Sequence, residues 1–333
     1  VPPSRTRLAR PALAVAVAAL LTACAGGTER EVAVSGSSTV EPISTRVAEL
    51  FDDTGSDVAV TVDGPGTGDG FAAFCAGESD VTGASRPIKD EELERCRADD
   101  IDLIELEVAV DGLTLLTSSA NDEVECLNFA DLYALVGPES SGFDRWSDAR
   151  ALAQELGSTT DLPDAPLDIT APGQESGTYD TFVELAVGPI AEERGQEETT
   201  RPDYVAQSND NAIIQGIEGS PTSFGWVGYA FAQEVGDGVR PIAVAAEPGG
   251  ECVAPTAETI ASGEYPLSRS LYVYVSVPAM ADEPAVAEYV DFYLGEQGTT
   301  AVEQVGYVPL TEAELAATRE VWTSRRTGAH EEG

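Results

Sequence analysis

Basic residues are scarce in this chain. In 333 residues, 18 Lys and Arg stand against 59 Asp and Glu, a net charge of −41. A surface that acidic repels phosphodiester backbones, and no basic cluster offsets it, so no nucleic-acid partner is expected. Lys89 is the only lysine, which removes the lysine chemistry of phosphate-gripping P-loops. His330 is the only histidine, so histidine zinc sites, Ser-His-Asp triads and most general-base schemes lack their central residue. No apolar run reaches the 18 or more residues of a membrane-spanning helix. No Cys-x-x-Cys occurs, and no metal or cofactor is expected. What is present is an ordinary apolar content of 42% and enough length for about two domains at roughly 150 residues each. A binding protein becomes the leading class, ahead of an enzyme.

The first segment reads as an export signal. Arg5, Arg7 and Arg10 precede a short run of Ala, Val and Leu over residues 12–21, followed by Leu21-Thr22-Ala23-Cys24. Such a segment is set aside from fold reasoning. Small residues directly before a cysteine resemble a bacterial lipobox, in which residues 1–23 are removed and Cys24 is lipidated and opens the mature chain. Acyl chains anchor by burying methylenes, at about 0.8 kcal/mol each. Residues 24–31, small and polar, read as a tether. Export implies an oxidising compartment, so the remaining cysteines, Cys75, Cys96, Cys126 and Cys252, are expected to form two disulfides, with three pairings possible. Nearness in sequence favours Cys75 with Cys96, leaving Cys126 with Cys252.

Beyond the tether, short strands alternate with helices. Residues 31–34 read as a strand, and Ile43, Val47, Leu50 and Phe51 fall on one helix face. Val58, Val60 and Val62 alternate as a strand. Asp90 is expected to cap a helix through Cys96, and residues 101–116 contain two strand-like stretches around Asp111-Gly112. In the second half, Asn128 caps a helix bearing Leu132 and Leu135, 167–170 is a strand, 211–217 a helix, 223–229 and 271–277 strands. Helices follow at 286–294 and 311–322, with Thr311 and Glu314 as a capping box. Residues 325–333 read as frayed. This grammar predicts α/β domains with mainly parallel sheets.

Three strand-to-helix turns are rich in Gly, Ser and Thr: residues 36–39, 64–70 and 176–178. A helix N-terminus presents unpaired N–H groups and about half a positive charge. Small residues let a tetrahedral anion approach that backbone, and hydroxyls add neutral donors. Such local donors act at contact distance, where screening over about 8 Å leaves the global negative field weak.

Ser35-Gly36-Ser37-Ser38-Thr39-Val40-Glu41-Pro42-Ile43, Gly66-Thr67-Gly68-Asp69-Gly70, Gly83-Ala84-Ser85-Arg86-Pro87-Ile88 and Glu175-Ser176-Gly177-Thr178, with support from Phe224-Gly225-Trp226-Val227-Gly228-Tyr229, resemble the Pst-type phosphate-binding proteins of bacterial phosphate ABC importers. The resemblance covers nearly the whole chain after the tether. It implies a type II periplasmic-binding-protein fold, two α/β lobes joined by a hinge with phosphate in the interlobe cleft. Lobe one is expected over 31–110 plus 273–333 and lobe two over 111–272, hinged near Val110-Asp111 and residues 269–271. The resemblance further implies phosphate contacts from Thr39, the Val40 N–H, Thr67, Ser176, Gly177 and Thr178. Two family features are missing. Ser85 stands where many members have an Asp that accepts the phosphate proton, and Pro172 stands where many have an Arg. Arg86 is the expected replacement cation, through a bidentate guanidinium fork. Glu175 is the candidate proton acceptor, with Asp69 and Asp210 weaker ones.

The functional expectation is extracytoplasmic phosphate binding and delivery to an ABC-type permease, by a monomer held on the outer face of the membrane through Cys24. Two other classes compete. A secreted phosphatase using Ser176 needs a base that the chain lacks. A surface sensor or adhesion protein of the same fold, with altered or lost anion binding, would bind no phosphate in calorimetry.

Overall fold

Val32 and Val34, alternating with partly exposed neighbours, point into one core and make the first strand, β1 (Arg30–Gly36). The computed structural model describes residues 30–174 and 176–329. The export signal, Cys24, nearly all of the tether, Glu175 and His330 therefore lie outside the described residues. After β1 comes α1 (Glu41–Asp52), which starts with Pro42 in its first turn and buries Ile43, Val47 and Phe51 on one face. β2 (Val58–Asp63), α2 (Thr67–Cys75), β3 (Val81–Ala84) and α3 (Asp90–Ala98) continue the alternation. β4 (Leu103–Ser118) follows as one strand of 16 residues. Asp111-Gly112 does not divide it, contrary to the two stretches expected, because both residues stay paired with the neighbouring strand.

The next part carries β5 (Cys126–Asn128), α4 (Phe129–Val136), α5 (Arg150–Glu155), β6 (Thr170–Pro172), α6 (Gly177–Phe182), a π-helical turn at Val183–Val187, and α7 (Gly188–Arg194). Then come β7 (Val205–Gln207), α8 (Asp210–Glu218), β8 (Phe224–Gly228), α9 (Tyr229–Ala232), β9 (Val239–Pro241), β10 (Ala243–Ala245) and α10 (Ala257–Ala261). β11 (Ser268–Ser276) returns the chain, and α11 (Val277–Asp282), α12 (Pro284–Tyr293), α13 (Glu296–Gln304) and α14 (Glu312–Thr323) close it. Asn128 caps α4, and Thr311 with Glu314 forms the capping box of α14. α3 has Lys89 rather than Asp90 in its cap position, because Glu92 reaches back to the Lys89 N–H.

The main sheet has the order β2-β1-β3-β11-β4-β8, with β9 also on β4. Within this sheet the parallel pairs are those of β1 with β2 and β3, and two small separate sheets, β5/β10 and β6/β7, are parallel as well. The pairs β11/β3, β11/β4, β4/β8 and β4/β9 are antiparallel. The expectation of mainly parallel sheets is thus corrected at the centre: β4 and β11 carry the chain out and back between two cores, so they must run opposite ways. One core gathers Val32, Val34, Ile43, Leu106, Val273, Tyr289 and Trp322. The other gathers Leu113, Leu132, Trp146, Phe182, Trp226, Tyr265 and Leu267. They meet along β4, whose first half pairs with β11 and whose second half pairs with β8. The molecule is an α/β fold of two lobes joined by crossing strands, with a cleft between them.

Cys75 is bonded to Cys96, from α2 to α3, and Cys126 to Cys252. Of the end expected to be frayed, the described residues 325–329 are tied to the fold. The Arg325 guanidinium lies 3.6 Å from the Trp322 ring centroid, and the Gly328 N–H donates to Leu103 O at 2.9 Å.

Candidate functional site

Close backbone packing at the ends of β1 and β3 builds one wall of the cleft. A Cβ on Gly36 would stand 2.2 Å from Gly83 O, and one on Gly83 would stand 2.9 Å from the Val40 side chain. Only glycines allow the loop after β1 to lie against β3. That loop is internally bonded: the Ser37 N–H donates to Gly83 O at 2.8 Å, Thr39 N–H to Ser37 Oγ at 3.2 Å, and Val40 N–H to Ser37 O at 3.0 Å. The Val40 N–H implied as a phosphate donor thus has a backbone acceptor. Thr67, opening α2, meets Ser85 hydroxyl to hydroxyl at 3.1 Å, and the Ser85 N–H points at Thr67 Oγ1 at 3.3 Å.

Ser176 starts the other wall. Its Oγ accepts the Thr178 N–H at 3.2 Å and caps α6. The two walls touch: a Cβ on Gly177 would lie 3.8 Å from Thr39 Cα. Ser38 Oγ donates across the gap to Asp180 Oδ2 at 3.2 Å. Burial raises the Asp180 pKa above its ordinary value, and the Ser38 hydrogen bond opposes that rise.

The cation at this junction is Arg269, on β11, with only 9% of its side chain exposed. Its Nη2 donates to Thr39 Oγ1 at 3.1 Å and to Thr181 Oγ1 at 2.6 Å. Thr181 in turn donates to Asp111 Oδ2 at 2.7 Å. Asp111 is the register partner of Arg269 across β4 and β11, and lies 3.7 Å from its Nε. Arg269 Nε is buried with no hydrogen-bond partner among the described residues. Nη1 is paired with Glu184, on the π-helical turn. Burial pushes the Asp111 pKa up, and the Arg269 charge works against that push.

Arg86, the cation expected from the sequence, is held elsewhere. Both of its terminal nitrogens donate to Glu92, at 2.8 Å each, and Nη1 also reaches Pro87 O at 3.1 Å. Burial works to raise the Glu92 pKa, but the Arg86 fork and the Lys89 N–H together hold it below the usual carboxylate value. Arg86 still lines the cleft cavity of about 830 Å³, with Thr67, Ser85, Glu184 and Arg269. Thr39, Val40, Ser176, Gly177 and Thr178 are not on that lining; Thr39 and Gly177 meet at the contact between the walls. Asp69 lies in the first turn of α2 and Asp210 in that of α8, and burial raises the Asp210 pKa.

Sequence reasoning missed Arg269 because it sits just before an alternating strand and in no small-residue loop. The usable signal was its place among few cations, on a strand expected to cross the hinge beside another bearing Asp111.

Among the described residues no cluster of His, Cys, Asp and Glu could hold a metal, and no helix is long and apolar enough to cross a membrane. The arrangement offers hydroxyls, helix-terminal N–H groups and one buried guanidinium, which suits holding an anion rather than transforming it.

Comparison with known proteins agrees with this architecture. Residues 22–297 match the PBP superfamily domain. Protein SphX of Synechocystis sp. is 33% identical over 92% of this chain and 87% of its own. The phosphate-binding protein PstS of Staphylococcus aureus is 31% identical over 88% of this chain and 85% of its own. The crystal structure of a possible phosphate binding protein from Planctomyces limnophilus superposes with a TM-score of 0.78, at 36% identity, over 89% of this chain and 98% of that one. The chain therefore belongs to the PBP superfamily and, within it, to the Pst-type phosphate-binding proteins, a family of substrate-binding proteins rather than enzymes.

Proposed function

We propose that this protein binds inorganic phosphate outside the cytoplasmic membrane and delivers it to an ABC-type importer. The observation that carries the reading is Arg269, a buried guanidinium on a crossing strand that bonds Thr39 of one wall and Thr181 of the other. An anion entering beside it gains a charge-assisted hydrogen bond, and contact with both walls makes binding favour the closed form. Thr39, the Val40 N–H, Thr67, Ser85, Ser176, Gly177 and Thr178 complete the proposed set, with the Val40 N–H shared between Ser37 O and the ligand. Arg86 is assigned a supporting role through its pair with Glu92. Glu175 remains the proposed proton acceptor by its place beside Ser176. Lobes over 31–110 plus 273–333 and over 111–272 close on the anion. Anchoring through Cys24 on the outer face and docking of the monomer on a permease follow from the same reading.

Calorimetric titration with phosphate tests it. Wild-type protein is expected to bind, and Arg269→Ala to lose about 2–5 kcal/mol, the range for breaking a buried charge contact. Thr67→Ala is expected to lose about 1 kcal/mol. No phosphate binding by the wild type would overturn the reading in favour of a sensor or adhesion role.

A further inference from the structure

The Arg269 guanidinium is already engaged on several sides. Nη2 is committed to the hydroxyls of Thr39 and Thr181, and Asp111 lies beneath Nε. Nη1 carries the carboxylate of Glu184, whose side chain is 55% exposed and whose only hydrogen-bond partner among the described residues is Arg269. Glu184 and Arg269 line the same cavity. An anion arriving from that cavity thus meets the guanidinium from the side on which a carboxylate already sits.

We infer that Glu184 is an intramolecular competitor for the anion at Arg269, a displaceable carboxylate that weakens binding and speeds release. This rests on the phosphate-binding reading above. Its physical basis is charge and geometry. A carboxylate oxygen satisfies an arginine N–H much as a phosphate oxygen does. Asp111 and Glu184 together outweigh the single charge of Arg269, so a further anion is held well only when one of them withdraws. Asp111 is buried and bonded to Thr181, whereas Glu184 can swing into water. Glu184 also lies on a π-helical turn between α6 and α7, an irregularity that interrupts the usual i→i−4 ladder and is frequent at functional sites. Being tethered, Glu184 competes at a high effective concentration whatever the concentration of free anion. When the ligand begins to leave, the carboxylate is at hand to retake Nη1.

The test is calorimetric titration of wild type, Glu184→Gln and Glu184→Ala with inorganic phosphate and, separately, with sulfate, at one pH and ionic strength. Stopped-flow release of phosphate is measured alongside. Glu264→Gln removes an exposed carboxylate one residue beyond the cavity wall and serves as the charge control. Competition by Glu184 predicts about two- to fivefold tighter binding of both anions in both Glu184 variants, the upper range of an exposed ion pair. It also predicts slower release by a similar factor and a change of less than twofold in the control. Equal tightening in the control would reduce the effect to general repulsion and overturn the assignment. So would unchanged binding. Weaker phosphate with stronger sulfate in Glu184→Gln would overturn it too, because that pattern marks Glu184 as the acceptor of the ligand's proton. Each of these leaves phosphate binding by the wild type intact; loss of binding in the wild type itself would remove both readings together.

Discussion

At the scale of single residues, the two arginines of the cleft have different duties. Arg86→Ala frees Glu92 and the start of α3, and is expected to cost folding stability while changing phosphate affinity by less than about 1 kcal/mol, as for a neutral contact. Arg269→Ala is expected to do the reverse in binding. Titrating the two variants side by side with urea unfolding separates them. Arg201 offers a test unrelated to the ligand. It is buried, and donates to Asp203 through Nε at 2.6 Å and Nη2 at 2.9 Å. That fork is the main reason the Asp203 pKa falls to about 2. A lowered folded-state pKa means the pair's stabilisation is present above the ordinary Asp value near 4 and is lost as pH falls towards about 2. Asp203→Asn leaves a buried guanidinium short of its partner. It should cost about 1–2 kcal/mol near neutral pH, less than for a fully buried pair because Asp203 is itself exposed. It should also flatten the acid limb between pH 4 and 2. Urea midpoints across that range check both.

Among the elements, the loops after β1, β2 and β6 are where the sequence is most readable, and the glycines explain why. Gly36 and Gly83 face each other so closely that Gly36→Ala puts a methyl into the Gly83 carbonyl. That substitution is expected to destabilise by about 1–3 kcal/mol, as overpacking does. It should weaken phosphate binding as well by moving Thr39, and a shifted urea midpoint with an unchanged slope would show the first effect. Small residues in a strand-to-helix turn are a local signal, so the turns at 36–39, 64–70 and 176–178 stand out by composition, while Thr39, Thr67 and Ser176-Gly177-Thr178 within them are picked out by the family resemblance. Helix faces and caps were legible for the same reason, as at Asn128 and Thr311. What spacing did not show is pairing between distant strands. β6 begins at Thr170 rather than Leu167, because its ladder is with β7, and a three-residue strand carries little period. Strand direction at the centre of the sheet, the continuity of β4 and the place of Arg269 all depend on contacts between segments 85 or more positions apart. No local pattern records those.

The molecule as a whole is two cores on one pair of crossing strands, braced by disulfides that each stay on one side of the crossing. The Cys75–Cys96 bond closes 21 residues and the Cys126–Cys252 bond 126. In the chain-entropy model the first is worth about 3 kcal/mol and the second about 5 kcal/mol. Replacing each pair by serines should lower the urea midpoint in that order, the longer loop mattering more, while leaving closure on phosphate intact. Closure itself is expected to appear as a smaller radius of gyration by small-angle scattering when phosphate is added. The crossing strands also fix an order in time. The second core is assembled almost wholly from β4 through Leu267, whereas the first needs β11 and the four helices after it. A ribosome therefore finishes nearly all of the second core first, and β1 to β3 wait unpaired against β11 until the last stretch of chain emerges. The half that is made first folds last. The leading lobe of such a nascent chain stays incomplete until its last stretch emerges, so a channel that threads unfolded polypeptide would meet little resistance from that end.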